Sequence, residues 1–145
     1  MKLNVKEDPT ATEVVVTVVC PRVDARVQRI MAAVEMEDMR LAGTIDGFLC
    51  ILEAHEVLYV ETVDGHTFLY GAKKVYESTA TLAEIESHLA GEEFVRASRQ
   101  TLVNLAHVRG IKPYLNARLE LVLDNDERII ASRQFAPLIK KHIGL

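Results

Sequence analysis

Phe94-Val95-Arg96-Ala97-Ser98-Arg99-Gln100-Thr101-Leu102-Val103-Asn104-Leu105 is the most distinctive stretch of the chain. Phe94, Leu102 and Val103 are core-type residues, whereas Arg96, Ser98, Arg99 and Gln100 make a polar, donor-rich bend between two predicted strands. Asn104 ends the second strand, where its amide can hydrogen-bond the backbone of the bend. A second donor-rich spot, Ser132-Arg133-Gln134, follows a predicted strand and precedes a predicted terminal helix. Arg and Gln on short loops can reach base edges, Arg to guanine and Gln to adenine, while Ser and Lys can hold phosphates.

Outward from this stretch the chain reads as strand-dominated α+β. Leu3–Val5 and Glu13–Cys20 are β-branched and apolar, separated by the turn-like Glu7-Asp8-Pro9-Thr10, and predict a strand pair. After Pro21 the apolar set Val23, Val27, Ile30, Met31 and Val34 falls on one helical face, with Arg22, Arg26 and Arg29 opposite, predicting a helix over 22–38. That apolar face has to be covered, by the chain's own strands or by a second copy. Gly43 and Asp46-Gly47 mark turns. Strands follow at 48–52 and 56–61, and Val63-Asp64-Gly65-His66 carries Asp-Gly hairpin chemistry with His66 at its shoulder. A short strand at 73–78 precedes a capping box, Thr81 to Glu84, that opens a helix with Gly91 as its stop. Strands at 94–96, 101–105, 107–111, 119–123 and 128–131 complete the pattern, and Ser132 onward turns helical. The one plausible boundary separates an N-terminal β-helix unit, residues 1–45, from a β-rich unit, residues 46–145.

The chain has 145 residues, 49% hydrophobic and 26% charged, which suits a globular protein with one main core. No apolar run approaches the roughly 18 residues of a membrane span, and the N-terminus lacks the apolar region of a secretory signal, so a cytoplasmic location is expected. Cys20 and Cys50 sit in apolar strand-like runs and read as reduced, buried thiols. The net charge is −4, but residues 1–45, 46–93 and 94–145 carry −1, −8 and +5. An acidic middle beside a basic final third predicts two electrically different faces. The five histidines lack metal-ligand spacing, and no GxSxG, HExxH, CxxC, Walker loop or GxGxxG occurs. No catalytic residue, cofactor or metal is therefore expected.

At this point the residues resemble the LytTR DNA-binding domain of bacterial transcription regulators. The resemblance runs from about Glu56 to Ile143. It is carried by Val57-Leu58-Tyr59-Val60-Glu61 in the family style I-x-Y-I-E, Thr81-Leu82 with Ile85 and Leu89, and Phe94-x-Arg96 with Leu102-Val103-Asn104. Val108, Leu119 with Leu121, and Ser132-Arg133 with Leu138-Ile139-Lys140 complete it. The N-terminal extension also looks like that of short, stand-alone members without a receiver domain.

The resemblance implies an elongated arrangement of small β-sheets with short helices, which lays loops into successive major grooves of double-stranded DNA. Carried over residue by residue, the base-reading positions are His66, Arg99, and Arg133 or Gln134. Arg96, Ser98, Gln100, Lys112, Lys140 and Lys141 are the expected phosphate contacts. The family's bend often has His where this chain has Ser98 and Ser where it has Gln100, so a different preferred sequence is implied. Each residue also has a plainer reading: His66 as an exposed turn residue, Arg99 paired with Glu92 or Glu93, Arg96 as a structural donor. The expected function is sequence-specific transcription regulation by a homodimer, with an inhibitory membrane protein as a further partner of stand-alone members. The competing reading is a protein-interaction or sensor module whose acidic middle meets a basic partner. A small-molecule role for the N-terminal unit is a third.

Overall fold

The computed structural model describes residues 1–37, 39–89 and 93–145. Helix α1 spans Ala25–Glu37. It starts later than expected because the Asp24 carboxylate accepts from the Val27 amide at 3.0 Å and caps the first turn, leaving Pro21 and Val23 outside. Of its apolar face only Val27 is buried, while Met31 and Val34 stay 45% and 36% exposed. The expected strands at 3–5 and 13–20 do not form. The turn between them does, with Asp8 accepting from Thr10, but no described strand includes residues 1–24. The N-terminal β-helix unit is thus a helix preceded by an unpaired segment.

Ten strands follow. β1 (Arg40–Ile45) and β2 (Phe48–Glu53) form a hairpin whose Asp46 and Gly47 have φ of 51° and 81°, as a two-residue turn of type I′ requires. Gly43 is not a turn. It lies within β1, where a Cβ would stand 2.7 Å from that of Tyr76. β3 (Val57–Val63), β4 (His66–Gly71), β5 (Val75–Ser78), β6 (Phe94–Ser98) and β7 (Thr101–Asn104) complete a seven-stranded antiparallel sheet in the order β2-β1-β5-β4-β3-β7-β6. β1 is hydrogen-bonded to β2 and to β5, so residues 40–45 continue the sheet across the expected boundary at 45. β8 (Val108–Tyr114), β9 (Arg118–Leu123) and β10 (Arg128–Ala131) form a second, three-stranded sheet.

The larger sheet is packed on both faces. On one, Val57, Val60, Leu69, Phe94 and Leu102 meet Leu82, Ile85 and Leu89 from helix α2 (Leu82–His88) and its end. On the other, Leu58, Tyr59, Ala97 and Val103 meet Leu119, Leu121, Leu123 and Ile139, the last from helix α3 (Ala136–His142). A register shift between Val57 and Tyr59 lets Leu58 and Tyr59 face the same core in succession. Thr81 caps α2 as its capping box predicted. The expected stop at Gly91 lies outside the described residues, as do Asp38 and Glu92. The cysteines are free but half-buried, and Cys20 is in no strand.

Asn104, expected to hold the bend, does something else. Its Nδ2 donates to the Val57 carbonyl of β3 at 3.0 Å, and its Oδ1 accepts from the Ala106 amide at 3.0 Å. The residue is 1% exposed. Asn104→Ala removes the partner of the buried Val57 carbonyl and of the part-buried Ala106 amide, and should cost about 1–3 kcal/mol in urea denaturation.

Candidate nucleic-acid interface

Three loops lie at one end of the seven-stranded sheet. The first is the β3–β4 turn, where Asp64 and Gly65 take φ of 50° and 78° and hand the chain to His66. The His66 ring is 63% exposed, and its Nδ1 lies 2.8 Å from Glu77 on β5. A carboxylate only accepts, so Nδ1 carries the proton and Nε2 is the atom left for a ligand.

The second loop is the Arg99–Gln100 bend between β6 and β7. Its backbone is tied inward at each step. The Thr62 amide of β3 donates to the Gln100 carbonyl at 2.9 Å, and the Gln100 amide donates to Ser98 Oγ at 3.2 Å. Arg96 Nη1 donates to the Arg99 carbonyl at 2.7 Å, while its Nε and Nη2 hold Glu86 of α2 at 2.9 and 3.3 Å. With its side chain only 21% exposed and its guanidinium bonded to Glu86 and the Arg99 carbonyl, Arg96 braces the bend, as its plainer reading expected. Arg99 and Gln100 are exposed, and Arg99 has no ion pair among the described residues; Glu93 is not its partner.

The third loop, Ser132–Gln134, is fastened to the second. The Ser132 amide donates to the Ala97 carbonyl at 2.8 Å, and the Ser132 carbonyl accepts from Phe135 and Ala136 to start α3. Ser98, Arg99, Gln100, Ser132, Arg133 and Gln134 together line one open cleft of about 490 Å³. Arg133 and Gln134 are exposed, as are Lys140 and Lys141 in the last turn of α3, where the helix dipole favours cations. Ser132 Oγ is buried without a hydrogen-bond partner among the described residues. Sequence reading placed Ser132 in a donor-rich spot but assigned it no role; its only signal was a hydroxyl where strand gives way to helix.

The strand order β4-β3-β7-β6 puts His66 two to three strand spacings from the bend, or about 10–14 Å. Lys112 is not in the cleft. It stands on β8 and reaches Glu120 at 3.0 Å, which Arg128 also holds at 3.0 Å. That pairing is a device of the three-stranded sheet.

The family model of the LytTr DNA-binding domain matches residues 48–144. The chain belongs to the LytTr family. Its LytTr region resembles the sensory transduction protein LytT of Bacillus subtilis (strain 168), 28% identical over 102 residues, covering 70% of this chain and 42% of that protein. The transcriptional regulatory protein LytR of Staphylococcus aureus (strain N315) is 26% identical over 108 residues, covering 74% and 44%. The chain therefore spans less than half the length of these curated relatives. A solved LytTr DNA-binding domain from Bacillus cereus superposes with a TM-score of 0.70 at 24% identity, covering 73% of this chain and 97% of that one. The strand-dominated LytTr fold is shared.

Two outcomes follow from the anchoring residues. Arg96→Ala should cost about 1–2 kcal/mol of stability and speed amide exchange in the bend, whereas Arg99→Ala should change stability by less than about 0.5 kcal/mol. Lys112 first, and Arg128 with it, hold the Glu120 carboxyl below its ordinary 4.5. A depressed carboxylate contributes stability that is present above its ordinary value and lost as pH falls through the lowered one. Glu120→Gln should therefore flatten the acid limb of the stability curve, read by thermal melts from pH 7 down to pH 3.

Proposed function

We propose that this LytTr protein binds double-stranded DNA sequence-specifically and regulates transcription by binding, without catalysis or a cofactor, in the cytoplasm. The observation that carries the reading is the cleft where the bend and the Ser132–Gln134 loop, the latter tied to β6 through Ala97, present Arg99 and Arg133, neither in an ion pair among the described residues. An unpaired guanidinium on a rigid loop loses little entropy on docking and presents a fork that matches guanine O6 and N7. Arg99 and one of Arg133 and Gln134 read bases in this proposal, and His66 reads a third through Nε2. The reach of about 10–14 Å from His66 to the bend is comparable with the ~12 Å width of the major groove.

Ser98, Gln100, Lys140 and Lys141 are the phosphate contacts of this reading. Arg96 drops out of it because Glu86 and the Arg99 carbonyl hold its guanidinium, and Lys112 because it stands on β8 outside the cleft. Loops fixed on a rigid sheet engage separated groove segments more readily on a curved duplex, so the DNA bends. Two copies act together on repeated half-sites. A membrane protein that holds the regulator inactive completes the proposal; co-purification with membranes supports it, and a partner-free protein in cells overturns it.

The test is fluorescence anisotropy on the duplex upstream of its own gene and on a scrambled duplex, at two salt concentrations. Affinity should fall steeply with salt, as counterion release requires. Arg99→Ala should weaken cognate binding by about 10–100-fold, the equivalent of ~1–3 kcal/mol, and scrambled binding far less. Equal, weak and mutation-insensitive binding to both duplexes would sink the reading and favour a partner for the acidic middle segment.

A further inference from the structure

Residues 14–20, VVVTVVC, are strongly β-prone, yet they lie in no strand and contain no bend. From 12 to 23, no backbone group hydrogen-bonds the backbone of another described residue. Val14 and Val19 are more than nine-tenths exposed, and Val15 and Val16 more than half. Methyl groups and amides alike face water, an arrangement that a neighbouring strand would relieve on both counts.

A second open element lies in the same chain. β2 ends the seven-stranded sheet, so its outer edge is unpaired. Phe48, Leu49 and Ile51 are 72%, 70% and 61% exposed. Edge strands are ordinarily guarded by a Lys, a Pro or a bulge. β2 has none of these: residues 47–52 carry no charge and no proline, and β2 pairs with β1 over six regular positions.

The two elements complement each other, but not within one chain. Val16 to Arg22 lie in a groove with Met1 to Leu3 and with Arg26, Val27 and Ile30 of α1, and no ladder joins them to those residues or to their own β2. We infer that the protein forms a symmetric dimer by strand exchange, in which residues 14–20 of each copy add to the outer edge of β2 in the other. The contact is made twice about a two-fold axis, which closes the assembly at two copies. Exposed apolar side chains on 14–20, on β2 and on Val23, Met31 and Val34 set an upper limit of roughly 1,000 Å² per copy on what the exchange covers, against the ~800 Å² per partner of a stable interface. Residues 14–20 and 48–52 carry no charge, and Glu53 at the end of β2 is already paired with Arg40, so the contact desolvates no unpaired ion. The inference rests on the two-copy reading above and supplies its surface; it is independent of DNA binding.

The test compares wild type with Leu49→Lys and Val16→Glu by sedimentation equilibrium at micromolar concentration, with hydrogen exchange read over residues 14–20. Both substituted positions are exposed and outside the two cores, so circular dichroism should be unchanged. Wild type should be a dimer with slow exchange at 14–20. Leu49→Lys should weaken dimerisation at least tenfold and release the amides of 14–20, although it lies on a different strand. A monomeric wild type overturns both the two-copy reading and the exchange. A dimer in which Leu49→Lys leaves 14–20 protected overturns the exchange alone. The free thiols Cys20 and Cys50 offer a second readout, since each lies on one of the two elements. A short bis-maleimide applied to mixed isotope-labelled and unlabelled chains should link Cys20 of one copy to Cys50 of the other, and links found only within a copy would contradict the proposal.

Discussion

Val57 and Val60 face one core while Leu58 and Tyr59 face the other, because β3 shifts register between Val57 and Tyr59. A flat, regular strand alternates its side chains one by one; the shift delivers two in succession to the face that the three-stranded sheet covers. Tyr59 then stacks on Tyr70 with ring centroids 4.2 Å apart and donates its hydroxyl to Glu127 at 2.6 Å, fastening the turn before β10 to β3. Burial first, and that hydrogen bond second, push the Tyr59 phenol well above its ordinary range, so it stays a donor. Because both faces of β3 are occupied, α2 and α3 close on opposite sides of one sheet. The end of that sheet is where the three loops gather.

The site divides its labour between backbone and side chain. The carbonyls of Ala97, Arg99 and Gln100 are all spent on scaffold contacts, from Ser132, Arg96 and Thr62. Their spending is what leaves Arg99, Gln100, Arg133 and Gln134 pointing outward on a frame that does not need them for stability. Arg96 and Arg99, three residues apart and chemically identical, have opposite jobs. Arg96 is turned in by Glu86, a residue on a helix ten positions away in sequence, and Arg99 is turned out by the bend.

Much of the architecture was legible locally. The Asp64-Gly65 turn, the Thr81 cap of α2 and the strands from β3 to β10 are each set by a few neighbouring residues, through positive φ, a hydroxyl acceptor or β-branched side chains. The bend and Ser132–Gln134 were each legible as a donor-rich spot, but that they line one cleft was not. What local reading missed has a common cause. Gly43 read as a turn because its partner Tyr76 is distant in sequence, and residues 13–20 read as a strand because propensity is blind to whether an edge is available. Strand formation needs a neighbour, and propensity names only the candidate.

The amino-acid sequence by itself determined the family, the strand-dominated class and the identity of the exposed donors, since these depend on residue types at fixed spacings. Which donors are free was decided by tertiary structure alone. Arg96 and Lys112 look in sequence like any other cation, and only the approach of Glu86 and Glu120 from other elements commits them. The physical reason is that an ion pair or a hydrogen bond is a property of two groups at a distance of about 3 Å. Sequence states that both groups exist, and the packing of the two sheets states which of them meet.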